Sequence, residues 1–382
     1  MPTTNFMEIQ ADSSGQETCP VQVETGFYHE EKDFNKDQFI EDDQMKDLAD
    51  ERFTAAYVKL DYETPDFFNV RLAAGVTGYT FINEFILQDP ELGERRNFLL
   101  RELYMETIWA NTTFRLGRQE IDGTTFEDFY FEAFSVASLR WENMDLLFAV
   151  AKKTAEVDLP DIVDFRDVDF GNSDLGGTFY IFEITWRPLP DGLAFTPYYL
   201  RQDHLFDLYG AHVELSREVN TVIIGLAADY YGTHEDRKNG VVDDEGRATD
   251  TSIFHVKPYL RVREITLGLG YMETDRKGGA REGDLIDDYF NPLNEGDSIY
   301  QPGAKTWYGE VFWEKGPVNL ELSYGQTDYR DGLQILTDRE FNIRTAIALS
   351  HNLLLQAEFA QVKSESSEGS FHKFETELTY AF

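Results

Sequence analysis

Ile253-Phe-His-Val-Lys-Pro-Tyr-Leu-Arg-Val-Arg-Glu-Ile-Thr-Leu-Gly-Leu-Gly-Tyr-Met272 is the stretch that decides the fold. Phe254, Val256, Pro258, Leu260 and Val262 alternate with His255, Lys257, Tyr259, Arg261 and Arg263. After Arg263-Glu264 the pattern resumes, with Ile265, Leu267, Leu269 and Tyr271 opposite Thr266, Gly268 and Gly270. A period of two is a strand with one apolar face, and two such runs across a tight link are a hairpin.

The same unit recurs along the chain. Phe68, Val70, Leu72, Ala74 and Val76 share one face, as do Val318, Leu320, Leu322 and Tyr324, and Phe374, Thr376, Leu378, Tyr380 and Phe382. The connections alternate in length. Tight links such as Thr64-Pro65-Asp66, Ala110-Asn111, Glu142-Asn143, Lys315-Gly316 and His351-Asn352 are separated by long polar stretches near 80–96, 120–131, 155–175, 232–251, 274–304 and 328–339. Short turns on one end and long loops on the other are the layout of a transmembrane antiparallel β-barrel, an all-β fold. Strand starts near 21, 52, 67, 97, 112, 132, 144, 175, 193, 208, 219, 252, 264, 305, 317, 340, 352 and 371 predict 18 strands. If the weak first strand, Val21–His29, does not pair, 16 is the fallback. The expected division is an N-terminal segment, flexible or periplasmic, over 1–20 and a barrel over 21–382.

This pattern reconciles a composition that otherwise conflicts. The 382 residues carry 71 acids against 34 bases, a net charge of −37, with a mean hydropathy of −0.44. That balance suits a soluble acidic chain and excludes nucleic acid as a partner, since phosphate binding needs clustered bases. Yet 14% of residues are aromatic, which argues against disorder. A barrel needs apolar residues only at alternate, outward positions, and it gathers aromatics at both membrane interfaces. Trp109, Trp141, Trp186, Trp307, Trp313, Tyr62 and Tyr79 lie near strand ends, as such girdles would. The single cysteine, Cys19, rules out an internal disulfide, and no apolar run is long enough for a spanning helix. Met1-Pro-Thr-Thr-Asn5 has no signal-peptide pattern, which fits a mature chain whose leader is absent.

Thr112-Thr-Phe-Arg-Leu-Gly-Arg-Gln-Glu-Ile-Asp122 resembles the LGRQE segment of OprD-like and alginate-export-like outer-membrane porins, and Asp288-Tyr-Phe-Asn-Pro-Leu293 is similar to a short motif of the alginate-export group. A terminal aromatic, Phe382, resembles the assembly signal of outer-membrane barrels. The resemblance implies a passive channel for small hydrophilic or charged solutes in the outer membrane of a Gram-negative bacterium. It also implies contact with lipid, lipopolysaccharide and the barrel-assembly machinery, in a trimer or a monomer. After the LGRQE strand it implies a loop folded toward the pore, here with Asp122, Glu127 and Asp128.

No enzyme signature stands out: His-Glu-x-x-His, Gly-x-Ser-x-Gly and the phosphate-binding Gly-rich loop are missing. His204, His212 and His234 fall on or beside different loops and read as solvent-facing. The informative residues are lumen charges. Strand parity points Lys59, Arg71, Arg115, Arg140, Arg187, Lys257, Arg261, Arg263 and Arg344 inward, with Arg118 beside them in the LGRQE segment. Lys257, Arg261 and Arg263 form a row similar to the basic ladder of OprD-like pores. Glu102, Glu106, Glu310, Glu321, Glu358 and Glu377 also point inward, so the bases either guide anions or pair with these acids. No cofactor is required, but the acidic loops offer a candidate Ca²⁺ site at Asp243, Asp244, Asp287 and Asp288. Two other functions fit a barrel: export of an acidic polysaccharide, or a structural role with residues 1–50 as a plug.

Overall fold

A computed structural model describes residues 21–34, 51–85, 97–121, 129–141, 143–157, 162–167, 177–189, 192–203, 205–235, 250–276, 291–331, 334–365 and 369–382. The strands in chain order are β1 (Val21–Phe34), β2 (Glu51–Glu63), β3 (Val70–Phe85), β4 (Phe98–Trp109), β5 (Thr112–Glu120), β6 (Phe129–Trp141), β7 (Met144–Val157), β8 (Ile162–Asp167), β9 (Phe179–Leu189) and β10 (Leu193–Gln202), followed by β11 (Phe206–Val219), β12 (Val222–Glu235), β13 (Ser252–Val262), β14 (Ile265–Thr274), β15 (Lys305–Lys315), β16 (Val318–Asp331), β17 (Gln334–Ser350), β18 (Leu353–Lys363) and β19 (Phe371–Ala381).

Apart from β8, each strand bonds antiparallel to the strands before and after it in sequence, and β1 bonds both β2 and β19, which closes the sheet. The short β8 pairs only with β7, and β7 also pairs with β9, so β8 is an offshoot and the barrel itself has 18 strands. Closure leaves no unpaired edge, the condition for a sheet to sit in hydrocarbon. The first strand is thus no optional member: it runs five residues past His29 and supplies the seam, so the count of 16 does not apply.

Two differences from the sequence expectation concern loops. The 155–175 stretch contains β8, and the 328–339 stretch is almost wholly strand, since β16 runs to Asp331 and β17 starts at Gln334. The β4–β5 turn lies where expected, but the β2–β3 turn is made by Phe68 and Asn69 (φ 53° and 61°) rather than Thr64-Pro65-Asp66, so Phe68 is not on a strand face and β3 starts at Val70. Ala110 and Asn111 both have positive φ (49° and 59°), the mirror-image turn that suits the right-handed twist of a two-residue hairpin. Pro258 is accommodated because the β13–β14 ladder skips Lys257 and Pro258.

Burial is inverted relative to a soluble protein. Val58, Leu60, Leu103, Met105, Leu116, Leu267 and Leu269 are exposed, on the outward face of their strands. Their strand neighbours Tyr57, Tyr104, Thr266 and Glu106 are buried on the inward face. An exposed apolar belt around a closed sheet is stable against lipid and a liability in water. Trp109, Trp141 and Trp186 are exposed near the short-turn end, and Trp307 near the other. Tyr79 departs from the girdle set: it faces inward, 5% exposed, against Tyr57 and Phe53.

Candidate functional site

The inner wall is the candidate site, and its register follows from the ladders. Facing residues of consecutive strands run Lys59, Thr77 and then, on the next rows, Arg71, Glu106, Arg115 and Ser135. On the opposite wall, Lys257 reaches Glu310, and Glu321, Arg344, Glu358 and Glu375 form one row across β16–β19.

Segment 291–300, between β14 and β15, lies across this wall. Asn291 caps it locally, its Oδ1 accepting the Leu293 N–H at 2.9 Å. Leu293 sits where Gly325 of β16 has no side chain; a Cβ there would fall 2.7 Å from the Leu293 Cδ2. Glu340 of β17 accepts the backbone N–H groups of Asn294 (2.7 Å) and Glu295 (3.1 Å) through one oxygen. The Asn294 side chain bonds both Arg344 and Glu358, and Glu295 pairs with Lys373 of β19 at 2.8 Å. A 3₁₀ turn, Asp297–Tyr300, follows, and Thr274 donates to the Ile299 carbonyl at 2.6 Å. Leu293, Asn294, Glu295 and Ile299 of one segment therefore seat on five strands, β14 and β16–β19, narrowing the lumen from the wall inward. Beside it, Tyr28, Arg344, Gln356, Glu358, Glu375 and Glu377 line a cavity of about 210 Å³. Sequence reading missed this strap, although Asn291-Pro-Leu293 belongs to a motif it had noticed.

The predicted bases are held by carboxylates. Arg71 bonds Glu106 (2.7 Å) and Glu63 (2.7 Å), Arg115 takes the other Glu106 oxygen (2.7 Å), and Lys59 pairs with Glu24 (3.0 Å). Lys257 pairs with Glu310 (3.1 Å), Arg261 with Glu314 (3.8 Å), Arg344 with Glu358 (3.0 Å) and Arg187 with Asp145. Arg118 stands one position off, on the opposite face of β5 from Arg115; it bonds Glu132 at 3.0 Å and lies over the Phe165 ring. Arg263 is not on the wall: it forms the β13–β14 turn with φ 56°, so the proposed row of three is Lys257 and Arg261 alone. Arg140 lies on β6, but its side chain is outside the described residues, as are Asp122, Glu127 and Asp128 and the candidate Ca²⁺ ligands Asp243, Asp244, Asp287 and Asp288.

Carboxylates exceed bases on this wall. Glu102 meets Arg101 at 3.5 Å, but Glu321, Glu340 and Glu377 have no Lys or Arg within salt-bridge distance, and Glu183, 7% exposed, has neither hydrogen-bond nor ion-pair partner among the described residues. Glu377 instead accepts the Tyr57 hydroxyl. Sequence parity had no signal for Arg101, which occupies a bulge in β4 and reaches Asp61, nor for Lys373, which binds Glu30, Glu295 and Glu375 together. His212, expected at the surface, is 8% exposed and bonded to Asp229.

The LGRQE segment also acquires a physical meaning. Gly117 has φ 130°, and a Cβ there would lie 2.2 Å from the Leu103 carbonyl oxygen. Gln119, fully buried, bonds the Ala133 carbonyl (2.9 Å) and accepts from Ser135 (2.6 Å), stapling β5 to β6.

No protein-family model and no curated protein matches this chain. Solved structures do. Pseudomonas aeruginosa OccK8 (OprE) superposes with a TM-score of 0.76 at 14% identity, over 95% of this chain and 97% of that one. Acinetobacter baumannii OccAB1 gives 0.78 at 13% identity, over 95% and 96%. Pseudomonas aeruginosa OpdK, crystallised with vanillate, gives 0.75 at 12% identity, over 95% and 98%. The chain therefore has the complete 18-strand barrel of these outer-membrane proteins, the fold implied by the OprD-like resemblance.

Proposed function

We propose that this chain is a passive channel of the Gram-negative outer membrane, passing small hydrophilic solutes through a lumen that favours cations. The observation that carries the reading is the charge balance of the wall: among the described residues Lys59, Arg71, Arg115, Lys257, Arg261 and Arg344 are held in ion pairs, and carboxylates outnumber them, Glu377 having no Lys or Arg within salt-bridge distance. An excess of carboxylates over bases along a water-filled passage attracts cations and repels anions. The barrel, its apolar belt and its likeness to outer-membrane channels supply the location. No covalent chemistry is part of this reading. Export of an acidic polymer calls for unpaired Arg along the path, and the pairing argues against it.

Purified protein in a planar bilayer should give stepwise conductance, and under a KCl gradient its reversal potential should take the sign of a cation-preferring pore. Anion preference would overturn the charge argument; a silent bilayer with folded protein would overturn the channel reading.

A further inference from the structure

Two imidazoles share one carboxylate on the inner wall. His212 of β11 places Nδ1 2.5 Å from Oδ1 of Asp229 on β12, and His255 of β13 places Nδ1 2.9 Å from Oδ2. Nε2 of His255 meets the Tyr308 hydroxyl of β15 at 2.7 Å. That bond crosses β14 because Gly270 lies beneath the Tyr308 ring, where a Cβ would fall 2.0 Å from it. His212, Asp229 and His255 are 8, 5 and 5% exposed. An ionised carboxylate only accepts, so each Nδ1 carries the hydrogen, and the neutral His255 Nε2 accepts from Tyr308.

We propose that His212, Asp229 and His255 form an acid-sensitive charge switch that sets the ion preference of the channel. The inference rests on the channel reading above. One carboxylate balances one imidazolium; a second leaves the trio positive. From β9 and β10 come Glu183 and Tyr198, and the β13–β15 side offers Lys257, already paired with Glu310 at 3.1 Å. Glu214 of β11 accepts the Tyr259 hydroxyl at 2.9 Å, and Tyr231 lies two residues along β12 from Asp229. Among the described residues Asp229 and Glu214 have no Lys or Arg within salt-bridge distance, and two imidazolium charges offset both. Imidazole is the side chain whose charge changes between pH 5 and 8. Protonation of His255 also reverses its bond to Tyr308, which must then accept.

The test is the cation-to-anion permeability ratio in planar bilayers, measured from about pH 8 to about pH 5 for the native protein, the His212→Gln/His255→Gln double variant and Asp229→Asn. Other wall carboxylates titrate too, so the native and double-variant curves are compared. One unit of charge at about 4 Å in water changes a local ion population roughly fivefold. The native ratio should therefore fall further on acidification than that of the double variant, by about fivefold per imidazolium and about 25-fold for both, and Asp229→Asn should start lower at pH 8. Coincident curves for the native and double-variant proteins overturn the switch, as does an Asp229→Asn titration that matches the native one. If the double variant does not fold, Asp229→Asn alone decides. Anion preference at pH 8 would defeat the proposed cation-favouring function but leave the difference between the curves as a separate result.

Discussion

Glu106→Gln isolates the electrostatics of the wall with almost no change of shape. In the native barrel this carboxylate is 1% exposed, with Arg71 on one oxygen (2.7 Å) and Arg115 on the other (2.7 Å). Glutamine turns one of those oxygens into an NH₂ that faces a guanidinium N–H, so one acceptor is lost and two donors oppose each other. Removing one partner of a fully buried pair costs about 3–5 kcal/mol. Here Arg71 keeps Glu63 at 2.7 Å, and the two Arg side chains are 31 and 23% exposed to the lumen, so the expected cost falls to about 2 kcal/mol. The local sum of Arg71, Arg115, Glu63 and Glu106 also moves from neutral to one positive charge. At about 4 Å in water that is worth roughly 1 kcal/mol, a several-fold loss of cation permeability. Denaturant unfolding of the refolded barrel reads the first effect, and reversal potential under a salt gradient reads the second. A variant as stable as the native protein, with unchanged or higher cation permeability, would refute the assignment of Glu106 as the shared anchor.

Other substitutions probe other layers of the fold. Ala110→Gly should stabilise the β4–β5 turn by about 1 kcal/mol, since Ala110 has φ 49°, and unfolding midpoints check it. Leu103→Arg, on the outward face and 54% exposed, should destabilise the barrel by about 2–4 kcal/mol in bilayers, read as unfolding in vesicles. Gly325→Leu should displace Leu293 and unseat the 291–300 strap, giving a larger single-channel conductance without loss of the barrel; an unchanged conductance would deny the strap a part in the constriction.

Strand existence was legible because lipid imposes it: outside the barrel an apolar residue is needed at every second position, and that repeats audibly in Phe254 to Tyr271 or Val318 to Tyr324. Legibility stops where lipid stops. The β16–β17 hairpin carries Asp328, Arg330, Asp338 and Arg339 and reads as loop, because strand outside the apolar belt has no such requirement. Parity assigns a residue to a face but not to a partner, so it placed Arg71, Glu106 and Arg115 inside without revealing their shared contact. It also carried Arg263 one position too far, past the end of β13 and into a turn. The strap needed the most: its seats on Gly325, Glu340, Arg344 and Lys373 lie 32 to 78 residues from their partners Leu293, Asn294 and Glu295 in sequence and meet only in the folded barrel. His212 was misread for the same reason, since the loop beside it gave no sign of Asp229 on the next strand.

The seam between β1 and β19 has a consequence for the order of folding. Almost every other pairing joins strands that are adjacent along the chain, so each hairpin can form from nearby segments with a small entropy of loop closure. Glu24 and Ala381, by contrast, come from the first and last strands of the barrel, and the Phe382 N–H reaches the Val23 carbonyl at 2.9 Å. This contact is available only once every strand from β1 to β19 has been made, and until it forms two bare edges invite pairing with other chains. The barrel therefore has a built-in completeness check: a chain lacking β19 can build its other hairpins in any order and still cannot close through this seam.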